Sequence, residues 1–217
     1  MIFRDRRDAG QQLATQLQFL VGQPDVIVLG IPRGGVVVAV QVARALNAPL
    51  DVFIARKLGA PINPELAIGA VTSTGDVLLD DELMRDLRIS DEVIEREVED
   101  QRKEIARRLE MYRPNRAPLD VKNKTVVLID DGIATGSTVL ASLRSLRKQE
   151  PARLILAVPV APAETMKRLE RECDQAIVLA TPEPFLAVGR FYLQFDQTSD
   201  VEVIELLNKA TEDKGTR

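Results

Sequence analysis

Residues 126–139 read VVLIDDGIATGSTV, and the architecture of the chain turns on that stretch. An apolar run ends in two adjacent carboxylates, Asp130 and Asp131. A turn of small residues follows, and then Ser137 and Thr138, where a helix would begin. Strand, glycine-bearing turn and helix is an arrangement that presents backbone N–H groups and a helix N-terminus to an anion. Two acids at the mouth of an anion site require a ligand that also carries neutral donors. The amides of residues 133–138, with the hydroxyls of Thr135, Ser137 and Thr138, suit a monophosphate, to which the helix dipole adds about 0.3–1 kcal/mol. Carboxylates cannot hold a phosphate, but they accept hydrogen bonds from a diol, each worth roughly 1.5–3 kcal/mol when charge-assisted. A ribose 5-phosphate satisfies both halves.

Competing templates fit less well. The nucleotide loop GxxxxGK[ST] fails because Gly132 and Gly136 are too closely spaced and no lysine follows. GxGxxG fails as well. A haloacid-type phosphatase needs a second Asp two residues after the nucleophile, where this chain has Gly132.

Outward from this stretch, short apolar runs alternate with helical patterns. The pattern predicts strands at 25–31, 50–55, 125–130, 153–158 and 176–180, and helices over 8–21, 136–148, 162–172 and 199–210. Asp5 and Asp8 are candidate caps for the first helix. Residues 36–47, VVVAVQVARALN, read both ways: valines favour a strand, while length and the Ala-Arg-Ala-Leu ending favour a buried helix. Segments 67–72 and 77–80 suggest a hairpin or two short strands. Strands alternating with helices imply an α/β fold with a parallel sheet covered on both faces.

Residues 90–112 differ in texture. Ile94, Val98, Ile105, Leu109 and Tyr112 mark a narrow stripe on a charged helix. Glu99/Lys103 and Glu104/Arg108 stand four apart, Ser90 is the candidate N-cap and Pro114 the stop. Such a helix suits an insertion packed across a core or a dimer seam.

Composition narrows the chemistry. The chain has 217 residues, 45% hydrophobic and 29% charged, enough for one substantial core. A net charge of −4 argues against a global field for nucleic acid. With no histidine, His-based triads and imidazole metal sites are excluded. Cys173 stands alone, which rules out an internal disulfide and reads as a small apolar residue near a helix end. Carboxylates, basic side chains, hydroxyls, amides and a hard cation such as Mg²⁺ remain. The N-terminus shows no signal-peptide pattern, and no run approaches a membrane span, so the expected location is cytoplasmic.

VVLIDDGIATGST resembles the PRPP-binding signature of type I phosphoribosyltransferases, in which a hydrophobic strand and two acids precede a T-G-x-T turn (PRPP, phosphoribosyl pyrophosphate). The chain also resembles a subgroup of predicted phosphoribosyltransferases. These open with F-x-D-R-x-x-A-G-x-x-L-A, here Phe3 to Ala14, and close with A-V-G-x-x-Y-x-x-F-x-Q, here Ala187 to Gln197. The resemblance implies a single domain over 1–217, with a helical insertion at 81–118 and a hood plus C-terminal helix at 181–217. It implies transfer of the phosphoribosyl group from PRPP to a nitrogenous, nucleobase-like acceptor, with Mg²⁺ as cofactor and a homodimer as assembly.

Roles follow residue by residue. Asp130 and Asp131 would hold the ribose hydroxyls and Mg²⁺. Gly132, Ile133, Ala134, Thr135, Gly136, Ser137 and Thr138 would hold the 5-phosphate. Arg33, Gly34 and Gly35 of IPRGG would form the pyrophosphate loop, where a strained or cis peptide is expected. Arg56 and Lys57 would bind pyrophosphate and join the acids in catalysis, beside a lid at 58–66. Glu65 would either help hold Mg²⁺ through water or cap a strand. Phe185, Phe191 and Tyr192, part of an aromatic cluster with Phe195, would cover the base. One departure stands out: hypoxanthine/guanine-type enzymes carry an Asp where this chain has Ala134, which argues against a 6-oxopurine. A non-catalytic PRPP or nucleotide sensor of the same fold, and a phosphohydrolase using Asp130, remain as rival readings.

Overall fold

The computed structural model describes residues 2–114 and 116–215, and the side chains of all of these except 64, 65 and 212–215. The strands are β1 (Val26–Gly30), β2 (Leu50–Val52), β3 (Ala55–Ala60), β4 (Asn63–Thr72), β5 (Val77–Leu79), β6 (Thr125–Ile129), β7 (Arg153–Val160) and β8 (Gln175–Ala180). The helices are α1 (Arg6–Gln16), α2 (Gly34–Leu46), α3 (Asp81–Asp86), α4 (Asp91–Tyr112), α5 (Ser137–Arg147), α6 (Ala163–Leu169) and α7 (Asp200–Gly215).

Five strands form a parallel sheet in the order β2-β1-β6-β7-β8. Alternate residues feed its two faces. Ile27, Leu29, Val126, Leu128, Leu154 and Leu156 pack beneath α5 and α6. Val26, Val28, Val127, Ile129, Ile155 and Ala157 pack beneath α1 and α2. From β1 the chain passes through α2 to β2 on one side; from β6 it passes through α5 to β7 on the other. The strand order therefore reverses between β1 and β6, and in open α/β sheets ligands bind beyond the strand carboxyl ends at that point.

The ambiguous valine run is a helix. Nine of the thirteen residues of α2 are buried, because α1 and the sheet cover one side and α7 with β2 covers another. A helix apolar all round is a helix enclosed all round. It ends on Asn47, whose left-handed φ of 52° makes the C-cap. Gly10 lets α1 close on α2, since a Cβ there would lie 2.7 Å from the Val38 carbonyl oxygen.

Two expectations are corrected. The strand read over 50–55 stops at Val52, and Ala55 already belongs to β3. Segment 58–66, read as a loop, is the end of β3, a turn at Pro61 and Ile62, and the start of β4, in an antiparallel sheet β3-β4-β5. Leu58, Ala60, Ile68 and Val71 bury one face of that sheet against Ile94, Val98 and Ile105 of α4. The side chain of Glu65 lies outside the described residues. The short helix α3 also had no counterpart in the sequence pattern.

Helix α4 follows the expected stripe. Ile94, Val98, Ile105 and Tyr112 are buried and Leu109 packs beside them. Both charge pairs form, Glu99–Lys103 at 3.9 Å and Glu104–Arg108 at 2.7 Å. Ser90 caps through its carbonyl, which accepts from the Val93 and Ile94 amides, and not through its hydroxyl. Tyr112 hydrogen-bonds Asp200 at the start of α7, so the C-terminal helix closes against α4 and α2. Cys173 is half-buried against the core and burial pushes its thiol up to about 11, in keeping with a packing role. Among the described residues, no helix is long and apolar enough to cross a membrane.

Candidate functional site

The two loops singled out in the sequence leave adjacent strands side by side. Gly30 of β1 is in register with Ile129 of β6, and the Ile31 amide donates to the Ile129 carbonyl at 2.8 Å. IPRGG therefore starts beside the acid pair. Contact is close: a Cβ on Gly35 would lie 2.9 Å from Asp130 Cα, and one on Gly34 would lie 1.9 Å from Asp131 Oδ2. Only glycine fits where the loop crosses the acids. The Pro32–Arg33 peptide is cis, in line with the expectation for this loop.

Asp130 and Asp131 are largely but not fully buried. The Asp131 amide donates to Asp130 Oδ1 at 2.8 Å. Burial, and then the Asp131 charge beside it, raise the Asp130 carboxyl well above the usual carboxylate range. The carboxylate of Asp131 has a partner the sequence did not announce. Arg6 Nε lies 2.6 Å from Asp131 Oδ2, and both side chains are more than four-fifths buried.

The turn behind the acids is built to expose amides. Gly136 adopts a left-handed φ of 78° and caps α5. Among the described residues, the amides of Ala134 to Thr138 donate to no protein acceptor. Ile133 is a correction: its amide donates to the Val160 carbonyl at 2.9 Å and its side chain is core, so it has no N–H to offer a phosphate. Arg168 of α6, which no sequence pattern marked, hydrogen-bonds the Thr135 carbonyl and brings a cation to the turn. Thr165 Oγ1 donates to the Ala134 carbonyl at 3.1 Å.

The basic residues divide. Arg33 is half-buried and lines a cavity of about 340 Å³ with Arg6, Gly34, Phe195, Gln197 and Thr198. Arg56, expected at the pyrophosphate, is instead engaged by Gln101 of α4. Desolvation there, and then Arg108 nearby, lower its pKa. Lys57 follows on β3 and is half-buried.

Segment 187–197 does reach the acids, though not as the aromatic roof expected. Val188 closes on Gly132, where a Cβ would meet its Cγ1 at 2.4 Å. Tyr192 is buried and its hydroxyl donates to the Asp131 carbonyl, so it offers no open face for a base. Phe185 and Phe191 stack on one another with centroids 5.0 Å apart, in a cluster with Phe3 and Tyr192. The exposed ring beside the acids is Phe195, 37% exposed, with the Arg6 guanidinium 3.8 Å from its centroid.

Among the described residues, no three metal-ligating side chains converge. Two adjacent carboxylates without a cage fit a cation such as Mg²⁺, which keeps waters and substrate phosphate oxygens as ligands.

A family model described as the phosphoribosyl transferase domain matches residues 4–194. A protein of Mycobacterium tuberculosis H37Rv, provisionally named a phosphoribosyl transferase, is 42% identical over 212 residues; the match covers 98% of this chain and 48% of that protein. The chain thus spans about half the length of the curated relatives it matches. The crystal structure of TT1426 from Thermus thermophilus is 43% identical and superposes with a TM-score of 0.81, covering 96% of this chain and 99% of the other. The AQ2163 protein of Aquifex aeolicus shares the fold at a TM-score of 0.51 and 14% identity, covering 85% and 78% of the two chains.

Proposed function

The chain belongs to the phosphoribosyl transferase family, and on that footing we propose that it binds PRPP with Mg²⁺ and transfers the phosphoribosyl group to a nitrogenous acceptor. The observation that carries this reading is the junction of the Gly34–Gly35 loop with Asp130 and Asp131 at the strand-order reversal. A diphosphate site, a diol site and a phosphate turn then adjoin, matching the three parts of PRPP.

In this reading the acceptor nitrogen attacks C1′, and the electron pair of the C1′–O bond leaves with pyrophosphate. The barrier is charge: positive on the ribosyl centre, negative on the leaving group. Asp130 and Asp131 accept from the ribose hydroxyls and fix the ring. The amides of Ala134 to Thr138, with Arg168 behind them, hold the 5-phosphate. Arg33 and the amides of Gly34 and Gly35 hold the diphosphate, acting where negative charge develops. Asp130 and Asp131 would hold Mg²⁺ through water or substrate oxygens; bound there, the cation neutralises charge on the leaving diphosphate. Lys57 is the second candidate donor to that diphosphate. With Ala134 at the position of the acid in 6-oxopurine enzymes, the acceptor site supplies no carboxylate there.

The test has two parts. PRPP with Mg²⁺ should raise the thermal midpoint of the wild type, and Asp130→Asn with Asp131→Asn should remove most of the rise. A panel of nucleobases and amines should then include an acceptor that releases pyrophosphate. An unchanged wild-type midpoint sinks the ligand assignment. Binding without release across the panel replaces the transferase by a PRPP sensor.

A further inference from the structure

Arg6 stands outside every role assigned above, yet its guanidinium is ion-paired with the acid pair. Its Nε meets Asp131 Oδ2 at 2.6 Å, its Nη1 donates to the Asp196 carbonyl at 2.7 Å, and its guanidinium lies over the Phe195 ring. From the opposite end of the chain, the Tyr192 hydroxyl donates to the Asp131 carbonyl. The two ends are themselves zipped together. The Phe3 amide donates to the Phe191 carbonyl, while the Leu193 and Gln194 amides donate to Phe3 and Arg4. Asp131 is thus gripped by backbone and by side chain, from the opening and closing motifs at once.

The grip has a chemical consequence. Oδ2 is turned toward Arg6 and the bare Cα of Gly34, where a Cβ would stand 1.9 Å away. Arg6 and the Gly34 backbone crowd Oδ2 on that side, which favours Oδ1 as the oxygen that meets a diol. Without Arg6 the carboxylate could rotate, and two acids side by side would repel an anionic ligand. We propose that Arg6 is a positioning residue for the sugar: it fixes the Asp131 carboxylate with Oδ1 facing the ribose diol, and offsets one of the two acid charges before the ligand arrives. This rests on the PRPP reading above. Orientation fixed in advance is ordering that binding need not supply.

The experiment is a double-mutant cycle on PRPP/Mg²⁺ affinity, measured by calorimetry in wild type, Arg6→Met, Asp131→Asn and the double variant. Arg6→Met should weaken PRPP by roughly ten- to hundredfold, the range of one charge-assisted hydrogen bond. In the Asp131→Asn background the same change should cost no more than about twofold. Arg7→Met, on the exposed face of the same turn, should bind as wild type does. If Arg6→Met does not fold, Arg6→Lys keeps the charge without the planar fork and should show an intermediate loss. Equal losses in both backgrounds would mean a merely structural role and overturn the proposal. Unchanged binding overturns it, and so does tighter binding, which would make Arg6 a latch competing with ribose. A wild type that binds no PRPP overturns the functional reading and this inference together.

Discussion

Gly34 and Asp131 approach so closely that a Cβ built on the glycine would stand 1.9 Å from the carboxylate Oδ2 and 2.7 Å from Arg6 Nε. A clash with the tip of a free side chain is relieved by rotation. Here the tip belongs to a carboxylate held from behind by Arg6, and the backbone of Asp131 is held by Tyr192. Gly34→Ala should therefore destabilise the fold by about 1–3 kcal/mol, the usual scale of overpacking. It should also abolish the thermal shift given by PRPP. Denaturant titration with and without ligand measures both effects.

Tyr192 carries a second, separable test. Its ring is buried among Phe3 and Phe195, with centroids 5.4 and 5.0 Å away, and its hydroxyl serves the Asp131 carbonyl. Burial, and then the Asp131 charge, push the phenol well above its ordinary pKa, so it stays a donor throughout the working range. Tyr192→Phe keeps the packing and orphans that carbonyl, at a cost of about 1–3 kcal/mol. The urea midpoint should fall accordingly, and PRPP affinity should fall with it as Asp131 loosens.

These two residues also show what the sequence could and could not disclose. The acid pair and the glycine loop were legible because each is local: an apolar strand, then residues whose chemistry is fixed by their neighbours. Arg6 was not, because it meets Asp131 across 125 positions, and no periodicity announces such a pairing. Tyr192 was legible as part of an aromatic cluster but not as a hydrogen-bond donor. The 58–66 segment reads as a loop because Pro61, Asn63 and Pro64 are poor strand formers. Tertiary burial of Leu58, Ala60 and Ile68 under α4 overrides that preference. Arg56 reads as a ligand donor because its partner Gln101 sits on a helix 45 residues away.

Acid should weaken the fold over a defined window. Hydrogen bonding from Lys148 chiefly, with Ser145 and Thr74, lowers Asp76 from 3.8 to about 2. Arg107 and then Arg108 lower Glu104 from 4.5 to about 2. A depressed carboxylate contributes stability above its unfolded pKa and loses it as pH falls through the folded one. Thermal midpoints should therefore decline between about pH 4.5 and 2, and Glu104→Gln should flatten part of that decline. Asp130 acts in the opposite sense. Its raised pKa contributes stability at low pH that is lost as pH climbs through the folded value, so Asp130→Asn should gain stability relative to wild type as pH rises.

The buried pair Arg113–Asp51 offers the sharpest stability test, because its two halves are unequally supported. Their side chains are only 9% and 7% exposed, with Nε and Oδ1 3.4 Å apart. Asp51 has other partners: Oδ1 accepts from the Val52 amide and Oδ2 from the Leu119 amide. Among the described residues, Arg113 Nε is buried with no hydrogen-bond partner, and desolvation lowers its pKa. Removing Asp51 strands a buried cation, and removing Arg113 leaves a carboxylate still held by two amides. Asp51→Asn should then cost about 3–5 kcal/mol, the scale for breaking a buried pair, and Arg113→Met distinctly less. The double variant should recover most of the loss, since no buried charge is then left unpaired. Chemical denaturation of the three variants reads the order directly; equal losses from the two single changes would mean that the amides do not shelter Asp51.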